Sequence, residues 1–218
     1  MTRALYDLFA GPLALGAFVV CLVGLAVRVV VFVSLLRCEA AVVPENFRWG
    51  WAALSVLRYL VPANTTNRAN PLATAAGFVF HAALIGGALF LSAHVVLVEQ
   101  AWGLTWPALP DLWSDALAAV ALAGLMVLAG RRLLDPKLRG LTEARDLWLL
   151  LLVALPPATG LAAHLLLPGY EYWMVLHVVS ADVLLAAIPF TKLSHALLFV
   201  LSRAVTGSDF GKRRVGPW

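Results

Sequence analysis

Residues 172–203 read YWMVLHVVSADVLLAAIPFTKLSHALLFVLSR, an apolar run interrupted by His177, Asp182, Lys192, His195 and Arg203. About 20 predominantly apolar residues cross a hydrocarbon core of ~30 Å as an α-helix, so the run predicts a membrane span. His177 and His195 are 18 residues apart. At ~100° and ~1.5 Å per residue, an ideal helix returns both imidazoles to one face and separates them by ~27 Å along its axis. An earlier apolar run carries His81 and His94, so each of two predicted helices bears two histidines.

Working outward, hydrophobic residues make up 62% of the chain and charged residues 13%, against ~25% charged in soluble domains. With a mean hydropathy of +0.88, this is the composition of an integral membrane protein. A length of 218 residues accommodates about five spans of ~20 residues and no separate soluble domain. The expectation is an all-α five-transmembrane-helix bundle forming a single membrane domain over 1–218. Cys21 and Cys38 are 17 residues apart on one predicted helix and cannot pair within a molecule. Neither belongs to a C-x-x-C or C-x-x-C-H motif, so both read as small apolar fillers.

The spans are predicted at 11–36, 72–99, 112–130, 147–167 and 172–203, bounded by Pro, Gly or charge, with 204–218 as a tail. Met1 to Ala10 is too short and too weakly basic for a signal-peptide front end, so the first span reads as retained. In the long connection 37–71, with Pro44, Pro62, Pro71 and the run Asn64 to Asn70, the stretch Phe47 to Val61 is too short to span. Its Trp49 and Trp51 suit a short interfacial helix. Trp102, Trp106, Pro107 and Pro110 read as an aromatic belt between spans two and three.

Basic residues set the orientation. Arg37, Arg48, Arg58 and Arg68 follow span one; Arg131, Arg132, Lys137, Arg139 and Arg145 follow span three; Arg203, Lys212, Arg213 and Arg214 follow span five. The opposite connections carry none, and the N-terminus only Arg3. The positive-inside rule then places the N-terminus outside and the C-terminus in the cytoplasm. The net charge of +4 thus reports topology; no nucleic-acid motif accompanies it.

That orientation sorts the histidines by depth. His81 and His195 fall toward the cytoplasmic face, His94 and His177 toward the outer face. Two neutral imidazoles can ligate one haem iron axially and leave no open position, which favours electron transfer over oxygen chemistry. The expected pairs are His81 with His195 and His94 with His177. On a straight helix, however, His81 and His94 stand ~140° apart. Gly86 and Gly87 between them offer a place to bend or rewind, and Pro189 should kink span five.

Phe80-His81, Leu89-Phe90-Leu91-Ser92-Ala93-His94, His177, and Pro189-Phe190-Thr191-Lys192-Leu193-Ser194-His195 together resemble the gamma, or cytochrome b, subunit of respiratory nitrate reductase. The closer likeness is to cytochrome b subunits of the transmembrane redox complexes of sulfate-reducing bacteria, including the high-molecular-weight cytochrome complex. The resemblance covers essentially the whole chain. It implies five spans in a bacterial cytoplasmic membrane, a periplasmic N-terminus and two b haems. It also implies a cytoplasmic iron–sulfur partner subunit, for which the loop 131–146 and the tail are the docking candidates, and a periplasmic multihaem cytochrome c or other membrane subunits of the same complex.

A quinone is the second expected ligand, since oxidising a quinol requires an apolar slot, proton acceptors and a nearby redox centre. His164, Tyr170 and Glu171, near the outer ends of spans four and five, are the candidates; the bland alternative for His164 is an interfacial histidine hydrogen-bonded to water. Arg28, Lys192 and Arg203 are candidates for haem propionate contacts, Arg28 alternatively snorkelling to headgroups. Asp182, deep in span five, is read as neutral, paired with Arg28, or a proton relay. A proton or metal-ion transporter using the buried His and Asp residues, and a structural membrane anchor, are the competing function classes.

Overall fold

The computed structural model describes residues 2–38, 47–61 and 70–214. Pro44, Pro62, Arg68, most of the Asn64 to Asn70 run and the tail residues 215–218 lie outside them. Among the described residues there is no strand, only an isolated bridge between Leu91 and Leu109. The helices are α1 (Thr2–Leu8), α2 (Ala14–Cys38), α3 (Trp49–Leu60), α4 (Pro71–Phe90), α5 (Ser92–Trp102), α6 (Asp111–Leu134), α7 (Pro136–Arg139), α8 (Ala144–His164), α9 (Tyr170–Ala187) and α10 (His195–Lys212). A π-helical turn, Phe9–Leu13, joins α1 to α2 at Pro12. Five stretches are long and apolar enough to cross a membrane: Arg3–Arg37, Pro71–Phe90, Asp111–Leu134, Ala144–His164 and Tyr170–Phe190. Their large exposed leucines and valines form a surface for lipid, and the chain is an all-α membrane protein.

Two predicted spans differ from the observed helices. Span two is not continuous over 72–99, and Gly86 and Gly87 do not interrupt it; both lie within α4, within van der Waals reach of Leu117. The interruption is at Leu91, whose extended backbone (φ −65°, ψ 129°) separates α4 from α5. Span five does more than kink. After α9 the chain makes two 3₁₀ turns, Ile188–Phe190 and Lys192–Ser194, before α10 starts at His195. The ideal-helix rotation between His177 and His195 therefore does not apply. Most of the predicted tail is also structured, since α10 runs on to Lys212.

The chain divides into two compact units, Met1–Ala10 with Leu72–Ala181, and Gly11–Pro71 with Asp182–Trp218. In the first, α6 packs on α8, and Gly124 lets Phe80 approach so closely that a Cβ there would lie 2.8 Å from the Phe80 Cβ. At its basic end Arg132 reaches Asp146, which also closes a capping box with Glu143 at the start of α8.

In the second unit, α3 lies along α10. Small residues permit it: a Cβ on Gly207 would meet Ser55 and the Trp51 carbonyl, and one on Gly211 would meet the Trp51 ring. Arg48 donates its backbone N–H to Ser208 Oγ at 2.8 Å, and the Arg203 guanidinium lies 4.4 Å from the Tyr59 ring centroid. On α2, Gly24 and Arg28 both meet the turn at Pro189; a Cβ on Gly24 would lie 2.6 Å from the proline ring.

Candidate functional site: histidines at two helix interruptions

Breaking a helix strands carbonyl groups that then need other donors. At Leu91 the N–H groups of His94 and Val95 turn back to the Leu91 carbonyl, which leaves the carbonyls of Ala88, Leu89 and Phe90 without their helical partners. Each has a replacement donor. His94 Nδ1 bonds to Ala88 O at 2.8 Å, Trp106 Nε1 donates to Leu89 O at 2.8 Å, and Leu109 N donates to Phe90 O at 2.8 Å. A carbonyl can only accept, so Nδ1 of His94 carries the ring proton and Nε2 carries the lone pair.

The interruption after α9 is satisfied in the same manner within the second unit. Thr191 Oγ1 donates to Ala187 O at 2.9 Å, Arg28 Nε to Pro189 O at 2.7 Å, and Ser194 Oγ to Thr191 O at 2.9 Å. His195 Nδ1 bonds to Lys192 O at 2.9 Å. The polar residues Thr191, Ser194 and His195 of the Pro-Phe-Thr-Lys-Leu-Ser-His run therefore all serve the broken backbone.

The other two histidines follow the pattern. His81 Nδ1 bonds to Gly77 O at 2.7 Å, and His177 Nδ1 to Pro156 O at 2.8 Å. The Pro156 carbonyl also accepts from Thr159 Oγ1, beside the Pro156–Pro157 pair inside α8. All four imidazoles are held as the tautomer whose Nε2 can coordinate a metal, the orientation that backbone carbonyls commonly impose on ligating histidines. His164 is different: its Nε2 approaches Asp115 Oδ1 at 3.5 Å.

Within the first unit, the His94 and His177 rings are within 9° of parallel, with centroids 5.9 Å apart. Metal–imidazole bonds of ~2.0–2.1 Å place two nitrogens sharing one ion ~4 Å apart, and the remaining separation is taken up by the two rings. The rings are stacked, at a centroid separation on the scale of two imidazoles sharing one ion. Gly160 leaves the His177 ring its place, because a Cβ there would lie 2.9 Å from His177 Cε1 and Nδ1. A cavity of about 120 Å³ adjoins the pair, lined by small residues such as Ala83, Gly87 and Gly160 and by Leu84, Leu91 and Leu161. Ser114, Asp115 and His164 add its polar edge, and Ser114 Oγ is buried with no partner among the described residues. Among the described residues, no three His, Cys, Asp or Glu side chains converge as a chelating site.

The remaining predicted site residues are distributed as follows. His81 lies in the first unit and His195 in the second. Tyr170 and Glu171 open α9 and do not line the cavity beside His164. Arg28 bonds to Pro189 rather than pairing with Asp182, and Asp182 Oδ2 is buried with no hydrogen-bond partner among the described residues. Arg203 stacks on Tyr59, and the Lys192 carbonyl holds His195. Sequence reasoning missed Asp115, a carboxylate near the start of α6 whose only sequence signal is its depth close to His164. Trp106, expected in the aromatic belt, also donates its indole N–H to Leu89 O.

No known family profile and no solved structure matches the chain. A protein of Nitratidesulfovibrio vulgaris (strain Hildenborough) is 34% identical over 226 residues, covering 98% of this chain and 100% of that protein. The chain belongs to the same family as that protein.

Proposed function

We propose that this chain is a dihaem cytochrome b subunit of a membrane-bound respiratory redox complex. The observation that carries the reading is the shared tautomer of His81, His94, His177 and His195, each holding Nδ1 on a backbone carbonyl and directing coordination to Nε2. His94 with His177 would hold the outer haem, and His81 and His195, one in each unit, are the ligand candidates for the inner one. Haem bound in this way would supply one-electron redox chemistry, and the four histidines are the residues that would hold it. Arg28, Lys192 and Arg203 are the candidate propionate contacts; Arg28 also donates to Pro189 O, and Arg203 also lies over the Tyr59 ring.

Electrons would pass between a quinone pool or a periplasmic multihaem cytochrome c on one side and a cytoplasmic iron–sulfur subunit on the other. For a quinol, the Asp115–His164 couple on the cavity's edge is the natural proton acceptor. The basic loop around α7 and the end of α10 remain the docking candidates for the iron–sulfur subunit in the bacterial cytoplasmic membrane.

The test is a reduced-minus-oxidised absorption spectrum of the purified protein with pyridine haemochrome quantitation. Two b haems per chain are expected, with one lost on His94→Leu and one on His195→Leu. A folded, never-stripped preparation without haem would overturn the reading.

A further inference from the structure

We infer that Trp106, in the loop between α5 and α6, is a positioning residue for His94. The inference extends the outer-haem reading above, but its structural core concerns the interruption at Leu91. Of the three carbonyls stranded there, one is satisfied by His94 itself and two by the loop, through Trp106 Nε1 and Leu109 N. The competing conformation is a helix continuing through Leu91, in which the N–H groups of Ser92 and Ala93 would reclaim the carbonyls of Ala88 and Leu89. That conformation has two consequences for His94. Its Nδ1 loses Ala88 O to the backbone, and its ring returns to an ideal-helix position ~140° around from His81. Trp106 opposes this by occupying Leu89 O. A loop indole thereby keeps the helix open, and the open helix keeps His94 aimed with Nε2 as the ligating nitrogen.

Replacing Trp106 with Phe removes the donor and keeps an aromatic ring. The Leu89 carbonyl then favours Ala93 N–H, and the Nδ1 bond of His94 weakens. A less strongly hydrogen-bonded imidazole is a poorer electron donor to iron, so the outer haem's midpoint potential should rise, its low-temperature EPR signal should change, and the inner haem should stay put. In histidine-selective nitrogen NMR, the Nδ1-protonated signature of His94 should broaden or disappear, a readout that needs no haem. Trp113→Phe, at an exposed position on α6, is the control and should change none of these.

The decisive variant is a rescue. Leu91 already has the extended conformation (φ −65°, ψ 129°) that a following proline enforces, and position 92 is the first residue of α5, where proline is tolerated. Ser92→Pro also removes the N–H that would reclaim Ala88 O. Added to Trp106→Phe, it should restore the His94 signals and the outer potential. Unchanged His94 signals and outer potential in Trp106→Phe would overturn the inference even if thermal stability fell. So would a perturbation that Ser92→Pro fails to reverse in a variant that still folds. Were the wild-type chain to contain no haem, the cytochrome reading would fail, and the His94 nitrogen signals would still decide the role of Trp106.

Discussion

At Leu91 the helix opens without a proline, and two of its three stranded carbonyls are met by donors from a loop lying beyond the whole of α5. At Pro189 the opening is written into the local sequence. Proline removes a donor, Thr191 and Ser194 turn back onto their own backbone, and a single distant donor, Arg28, completes the set. Both interruptions put a histidine within the first turn of the next helix and use its Nδ1 proton as one of the caps. On the cytochrome reading proposed above, metal ligation and backbone repair would be combined in one side chain. The first opening depends on tertiary structure and the second mainly on seven consecutive residues, which makes them separable by mutation.

The largest expected effect is on the partner that the first interruption serves. If opening at Leu91 aims His94 at His177, crowding His177 should abolish outer ligation and leave the second region intact. Gly160→Ala places a Cβ 2.9 Å from the His177 ring, and the ring's bond to Pro156 O at 2.8 Å gives it little freedom to move aside. Haem b should fall from two per chain toward one, with the inner haem's potential unchanged. Retention of both haems with unaltered spectra would mean that His177 is not held as described.

A middle-sized effect tests how self-sufficient the second interruption is. Arg28→Met keeps most of the aliphatic stem and removes the guanidinium donor from the Pro189 carbonyl. Hydrogen bonds to charged groups are worth ~1.5–3 kcal/mol, and the loss should appear as lower stability in denaturant titrations of the detergent-solubilised protein. A change under ~0.5 kcal/mol, the scale of ordinary surface substitutions, would mean that Thr191 and Ser194 suffice locally.

The same contrast explains what the sequence discloses. Apolar length fixed the five membrane-crossing segments and the all-α class, because in a bilayer every backbone group must be satisfied within a helix. Pro189 announced its own interruption, since the lost N–H is a property of the residue. Leu91 announced nothing: leucine is a good helix former, and the opening exists because Trp106 and Leu109 come back to it. The glycines at 86 and 87 were the more conspicuous irregularity, yet both lie inside an unbroken α4, where an added Cβ would make only ordinary contact with Leu117. Four of the five histidines stood out by spacing and depth, but what separates them from His164 is a backbone carbonyl against Nδ1, and carbonyl positions are contained in no spacing rule. Asp115 escaped notice for a related reason, since its significance depends on α6 and α8 lying side by side.

The smallest expected effects sharpen the comparison at matched hydroxyls. Thr191→Val is nearly isosteric and removes the donor to Ala187 O and the acceptor for Leu193 N. Ser92→Ala removes a 3.2 Å bond to Asp111 that is exposed. Side-chain hydrogen bonds inside membrane proteins average ~0.6 kcal/mol, so Thr191→Val, which loses two contacts, should cost about that or somewhat more. Ser92→Ala should stay within ~0.5 kcal/mol, because water can replace its partner. If the ranking were reversed, the first interruption would depend on its own sequence more than on the loop, and the division between a tertiary and a local opening would have to be abandoned. The order of the two losses, measured in one detergent under one protocol, is therefore more informative than either magnitude.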